Sequence, residues 1–194
     1  STTTVSAEML VKNMAYNGVR LGDIGLNGVY FPNADGSHYV DGIVTLDEQE
    51  ILLVNGKYHE EKGKGKMDGE ASFQRVPFAF LNAFMPDGPF ALSGYAWGDF
   101  TVSGYTENPV LNGELKTESL HIDADSYNVN LQIPDHTITV KNSRIDLNRI
   151  EAYAAGKTPL VLDGNIDFSD LDRVQLDMNV RADNYQLINA PKRQ

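Results

Sequence analysis

Hydrophobic and polar residues alternate along most of this chain, and the alternation is unbroken in RVQLDMNVRAD, residues 173–183. Every even-numbered residue from Val174 to Ala182 is apolar, and every residue between them is charged or carries an amide. A period of two residues is typical of a strand with one buried and one solvated face. Shorter runs predict further strands over residues 39–46, 50–58, 90–96, 99–105, 120–122, 129–133, 138–140 and 145–147.

A short pattern recurs within these runs: an apolar residue, then Asp, Asn or Ser, then glycine. Asn-Gly and Asp-Gly can form hairpin turns, but here the alternation continues through the glycine in several copies, so most copies are interpreted as bends within strands. NPVLNGEL (108–115) and TPLVLDGNI (158–166) place their glycines 51 residues apart and predict a degenerate structural repeat. The glycines of the seven copies are Gly42, Gly56, Gly69, Gly94, Gly104, Gly113 and Gly164.

Two segments depart from the strand pattern. RVPFAFLNAFMPDG, residues 75–88, predicts one short helix, because Pro77 suits a first helical turn and Pro86 can end it. We expect this helix to pack over an open end of the sheet, and a membrane-touching helix is the alternative. Its apolar stripe is Phe80, Leu81 and Phe84. HEEKGKGKMDGE, residues 59–70, is predicted to be a solvated hairpin connection.

The 194 residues are expected to form a single all-β domain over residues 1–194. Within it we expect N-terminal strands over 1–75, the short helix over 76–86 and the main strand repeat over 90–190. The formal net charge of -11 argues against nucleic acid and against simple adhesion to an anionic membrane. The chain has no cysteine, which excludes disulfides and thiolate metal sites. It also does not begin with methionine, which favours a fragment or a mature form.

One stretch raises the question of a metal site. Asp163, Asn165 and Asp167 have the spacing of the first three ligands of an EF-hand loop. The sixth and twelfth positions, however, hold Phe168 and Val174 instead of the required glycine and glutamate. The alternation of the same residues favours a strand with a solvated acidic face. The four histidines are scattered without ligand spacing, and no nucleophile or cofactor motif is present, so we expect no metal, no cofactor and no enzyme.

The aliphatic face of the predicted strands allows two architectures. A closed sandwich would fill it with the protein's own side chains, and an open groove would accept something apolar. Residue parity alone does not decide between these alternatives.

Residues 109–190 resemble the TamB family, the translocation and assembly module subunit of Gram-negative envelopes, within the AsmA-like group. The features that carry the resemblance are the L-x-G-x-L corner at Leu111, the L-D-G-x-I corner at Leu162, KNSRIDL at 141–147 and ADNYQLINA at 182–190. YNGVRLGDIGLNG at 16–28 and VPFAFLNAFMPDG also resemble that family, so the likeness extends over most of the chain.

The resemblance implies a curved, open β-groove of the β-taco or β-solenoid-like kind with one short helix. It implies a periplasmic segment of a protein anchored in the inner membrane, with phospholipid acyl chains and an outer-membrane barrel of TamA type as partners. The expected role is non-enzymatic phospholipid transport between the membranes and outer-membrane protein assembly. The expected groove lining is Leu111, Leu115, Leu131, Ile133, Ile145, Leu147, Leu162, Ile166, Phe168, Leu176, Met178 and Val180.

Two other functions fit the same strands. The first is a scaffold whose sheet edge adds a strand to nascent outer-membrane proteins without conducting lipid. The second is a secreted carbohydrate-binding β-solenoid, for which Tyr95, Trp97 and Tyr105 are the candidate aromatic platform.

Overall fold

The protein is described here by a computed structural model that covers residues 3–84, 87–88, 90–154 and 159–182. These residues form twelve strands and two short 3₁₀ helices. The strands are β1 (Val5–Tyr16), β2 (Val19–Pro32), β3 (His38–Leu46), β4 (Gln49–Glu61), β5 (Lys64–Pro77), β6 (Ala91–Tyr105), β7 (Val110–Ala124), β8 (Val129–Ile133), β9 (Thr137–Lys141), β10 (Arg144–Ala152), β11 (Leu160–Asp167) and β12 (Gln175–Ala182). The helices are η1 (Phe78–Phe84) and η2 (Asp125–Tyr127).

All twelve strands belong to one antiparallel sheet that does not close on itself. The order is β1-β2-β3-β4-β5-β6-β7-β9-β10-β11-β12, and β8 pairs with β7 off this path. The predicted all-β, open sheet is confirmed, and within the described residues no second sheet packs on it as a closed sandwich requires. The two strands predicted over residues 90–96 and 99–105 are parts of one long strand, β6, which begins at Ala91.

Strands β8 and β9 lie along the same edge of β7. Leu120 pairs with Ile133 and Lys116 pairs with Thr137, so the register is the same on both sides of the interruption. Pro134 stands at this interruption, and proline cannot donate a ladder hydrogen bond. The two strands therefore correspond to one strand broken by proline.

The glycines of the recurring pattern lie inside strands, as predicted. A Cβ at Gly113 would lie 2.1 Å from the carbonyl oxygen of Asp99, and a Cβ at Gly164 would lie 2.2 Å from that of Asp177. The neighbouring backbone comes too close for any side chain at these two positions. The two glycines that are 51 residues apart therefore meet the same kind of contact.

Several strands contain β-bulges, which increase the local bend and twist of a sheet. At three of them a residue with φ near +50° directs its amide to an aspartate carboxylate on a neighbouring segment. The pairs and their N···O distances are Asn13 to Asp23 (2.8 Å), Ser119 to Asp135 (2.9 Å) and Arg149 to Asp163 (2.8 Å). An amide that the bulge removes from the ladder is satisfied in this way.

The predicted short helix is present, but it begins later than predicted and is of the 3₁₀ type. Residues 75–77 belong to β5, and η1 is a 3₁₀ helix over Phe78–Phe84, followed later by the second helix, η2. Proline at 77 ends the strand, and a seven-residue segment is short for an α-helix. Helix η1 contacts β6 and β2, and Asn17 donates a 2.7 Å hydrogen bond to the carbonyl of Ala83. It lies at one end of the sheet, as expected.

The prediction that residues 59–70 form only a hairpin connection is wrong. Strand β4 extends to Glu61, and β5 begins at Lys64. Only Lys62 and Gly63 form the turn, with φ of 55° and 79°. Two positive φ values suit the tight turns that join twisted strands, so the charged residues around them stay in the ladder.

Candidate functional site

Cross-strand pairing places apolar side chains from all the strands on one side of the sheet, called the apolar face below. One row of directly opposed residues, for example, runs from Leu26 to Val44 to Leu52 to Phe73. A second runs from Val140 to Ile145 to Ile166 to Leu176. Directly opposed residues of an antiparallel sheet share a face. The larger side chains of the apolar face on β1–β6 are Val5, Met9, Val11, Ile24, Leu26, Val40, Val44, Leu52, Val54, Met67, Phe73, Phe100 and Val102.

The predicted lining residues continue this face over β7–β12. Leu111 opposes Val102, and Leu115 opposes Ile138. The remaining pairs are Leu131 with Ile122, Ile133 with Leu120, Ile145 with Ile166, Leu147 with Gly164, Leu162 with Val180, Ile166 with Leu176 and Met178 with Gly164. Phe168 follows β11 directly, where its amide donates to the carbonyl of Ser143. Cross-strand pairing thus places the predicted lining residues that lie within strands on a shared side, and sequence reasoning missed the contribution of β1–β6.

The apolar face is unevenly covered. Ile133, Ile150 and Ala152 are buried and pack with neighbouring aliphatic side chains in a small cluster. Large side chains on the two edge strands are exposed. Met9 is 55% and Val5 is 52% exposed on β1, and Leu176 is 66% and Val180 is 59% exposed on β12. Exposed apolar area of this extent is typical of a surface that binds something.

The opposite face carries the charges from β5 onward. Asp163, from the stretch with EF-hand spacing, accepts the Arg149 amide and a 2.6 Å hydrogen bond from Arg181. Asp167 accepts from the backbone and hydroxyl of Ser169, which lowers the pKa of that carboxyl below its ordinary value. These carboxylates have structural partners, and no group of three or more potential metal ligands occurs among the described residues.

The three candidate aromatic residues do not form one platform. Trp97 lines a polar concavity of about 960 Å³, together with Asp99, Glu114 and Lys116. Tyr95, two residues away on the same strand, stacks under the guanidinium of Arg75 at 3.7 Å from the ring centroid. Tyr105 lies at the far end of β6, eight residues beyond Trp97 or about 26 Å along a strand.

The described residues therefore define a class of protein: an open antiparallel sheet with one continuous apolar face and an opposite face that is charged from β5 onward. Neither of its helices has the length and hydropathy that crossing a membrane requires. Comparison of the chain with protein-family models, with curated proteins and with solved structures found no match.

Proposed function

We propose that this chain is a segment of a TamB-like protein of the AsmA-like group and that its apolar face guides phospholipid acyl chains between the inner and outer membranes. The segment would lie in the periplasm, in a parent protein anchored in the inner membrane and joined to an outer-membrane barrel of TamA type. Through that barrel the parent would also assist outer-membrane protein assembly. The observation that supports the proposal is a continuous apolar face with large exposed side chains on both end strands.

The energetics of this face suit passive movement. Fully burying a leucine or valine side chain contributes about 1.5–3 kcal/mol, so covering one that is already partly buried contributes less than that. Many similar weak contacts, such as those at Met9 and Leu176, hold a chain near the surface without trapping it at one place. No bond forms or breaks in such movement, and the proposed role is therefore non-enzymatic.

The proposal is tested by photo-crosslinking in the parent protein. A crosslinker at Leu176 or Val180 is expected to capture phospholipid, and one at Thr137, on the charged face, is expected to capture little. Equal lipid capture from both faces, or none from the apolar face, would contradict the proposal.

A charge on the apolar face provides a second measurement. Leu176→Asp is expected to slow lipid movement while the protein stays folded, because this side chain is 66% exposed. Thr137→Asp is the matched control, since it adds the same charge opposite Lys116 on the charged face. Normal envelope function in the folded Leu176→Asp variant would count against the apolar face as a path for phospholipid.

One observation favours the strand-adding scaffold as a second candidate. Strand β1 is twelve residues long and is an edge strand of the sheet among the described residues, and Leu10, on the face opposite the apolar face, is 60% exposed. Long, apolar edge strands are templates for pairing with another strand. Crosslinks from Glu8 or Leu10 to barrel precursors, without lipid capture at Leu176, would favour this function over lipid guidance.

A further inference from the structure

Two copies of the glycine pattern create a depression in the apolar face. Gly56 on β4 and Gly69 on β5 directly oppose each other, so the middle of the sheet has two adjacent positions without side chains. The same row continues to Val40 on one side and to Val102 on the other. A pair of glycines between two valines leaves a hollow whose floor is backbone.

Apolar side chains form most of the wall of this depression. Val54 and Ala71 form the next row toward η1, and Tyr58 and Met67 form the next row toward the opposite end. The depression is a shallow concavity of about 280 Å³, and its accessible lining is almost entirely apolar. An apolar hollow of this kind holds water poorly, because water needs polar partners.

The floor leaves no room for a side chain at Gly69 and little room for one at Gly56. A Cβ at Gly69 would lie 2.5 Å from the carbonyl oxygen of Asn55, and a Cβ at Gly56 would lie 3.1 Å from the Gly69 Cα. The backbones of β4 and β5 approach too closely here, so the depression is a fixed feature of this pairing.

The rim at one end of the depression carries polar atoms. The rings of His38 and Tyr58 lie side by side with centroids 5.9 Å apart, and the hydroxyl of Tyr30 hydrogen-bonds the Nδ1 atom of His38. The opposite direction leads to Val54 and Ala71 and offers only carbon. This polarity matches an amphiphile with its head beside His38 and its chain over the glycines.

We propose that the Gly56–Gly69 depression is a binding subsite for one linear acyl chain, a step that rests on the proposed function of the apolar face. A water molecule occupies about 30 Å³ of liquid and a methylene group is of similar size, so the depression holds a chain segment and excludes a complete phospholipid. The shared chemistry is a single acyl chain, which either a free fatty acid or one chain of a phospholipid supplies. A narrow hollow lined by carbon favours unbranched chains.

The test fills the depression from its wall. Val40 is 45% exposed and directly opposes Gly56, so the ring in Val40→Phe can lie over that glycine, as aromatic residues do across strands. Thr137→Phe is the matched control, because Thr137 is exposed, lies opposite Lys116 on the charged face and is far from the depression in strand order. Ala71→Leu fills the hollow from a second wall.

The probe is cis-parinaric acid, a linear fatty acid that fluoresces when its chain leaves water. Val40→Phe and Ala71→Leu are expected to weaken its binding about tenfold, which corresponds to about 1.4 kcal/mol, and Thr137→Phe is expected to leave it unchanged. Binding of the free acid alone identifies fatty acid as the source. Equal binding of a phosphatidylcholine that carries the same acid identifies a phospholipid chain, and either result supports the subsite.

Two outcomes overturn the subsite and separate it from the proposed function. If the probe binds the unchanged protein and all three variants with the same affinity, acyl chains bind elsewhere on the apolar face, so the subsite is wrong and the apolar face remains a path for phospholipid. If the probe does not bind the unchanged protein and Leu176 captures no lipid in the crosslinking experiment, both proposals fail.

Discussion

Replacing Gly113 with alanine is expected to destabilise the protein, whereas the same replacement at Gly28 is not. Both glycines lie inside strands on the apolar face. At Gly113 the new methyl would lie 2.1 Å from the Asp99 carbonyl oxygen and 2.8 Å from the Phe100 Cα, and both belong to the paired backbone of β6. At Gly28 the nearest atom is the Asp41 carbonyl oxygen at 3.7 Å, an ordinary contact.

The size of the difference follows from two opposing terms. Overpacking against a fixed backbone costs about 1–3 kcal/mol, and a tolerated Gly→Ala change gains about 0.4–1 kcal/mol by restricting the unfolded chain. The unfolding free energies of the Gly113→Ala and Gly28→Ala variants should therefore differ by about 2 kcal/mol. For a chain of this length that difference corresponds to about 4–8 °C in Tm.

Thermal unfolding followed by circular dichroism measures this difference. Gly164→Ala should behave like Gly113→Ala, because its methyl would meet the Asp177 carbonyl oxygen at 2.2 Å. If Gly113→Ala melts within a degree of the unchanged protein, or if Gly28→Ala falls as far as Gly113→Ala, the interpretation of these glycines as close backbone approaches is wrong.

Three further predictions concern individual side chains. Asp163→Ala should lower the unfolding free energy by about 1–2 kcal/mol in urea titration, because the Arg149 amide loses its acceptor and a half-exposed ion pair is lost; a neutral result would contradict the bulge argument. The pKa of Asp167 should lie below 3.8, so its contribution to stability is present at neutral pH and is lost as the pH falls through the lowered value. Ser169→Ala removes the hydroxyl donor and should move that pKa toward 3.8 in an NMR titration, and an unchanged pKa would show that the hydroxyl is not the cause. Ile133→Ala should cost about 2–5 kcal/mol, since Ile133 is 7% exposed in the packed cluster, and a loss below 1 kcal/mol in the same urea titration would show that the cluster is loosely packed.

Residue alternation predicted β7–β12 well because each of these strands has one solvated, polar face. The polar residues of β12, for example, stand opposite those of β11: Asp163 opposes Asn179, and Asn165 opposes Asp177. A slip by one residue would move the aliphatic residues to the other face, so the alternation restricts which residues can pair. The shared side of the predicted lining residues could therefore be deduced without coordinates.

Other features could not be predicted by this reasoning. Strand β1 places Met9, Leu10 and Val11 in sequence, so its apolar residues show no period of two, and at an edge both faces can stay exposed. The bulges at Ser119 and Arg149 take positive φ at residues that give no signal of it, unlike glycine. Whether the sheet is open depends on what covers its two faces. The alternation of apolar and polar residues carries no information about that.

The exposure of its side chains limits which parts of the apolar face a lipid can contact. Ile133 is one of the predicted lining residues. It packs against Ile150 and Ala152, so an acyl chain would contact little of its side chain. Val40 is 45% exposed and Met9 is 55% exposed, and both lie on the N-terminal strands beyond the resemblance first traced in residues 109–190. If chains follow the available apolar area, they should pass along β1–β5 and along the outer strand β12, and they should avoid the cluster. Lipid crosslinks should then be abundant at Val40 and scarce at Ile133. More crosslinks at Ile133 than at Val40 would mean that lipid passes through the packed cluster, which would contradict this argument.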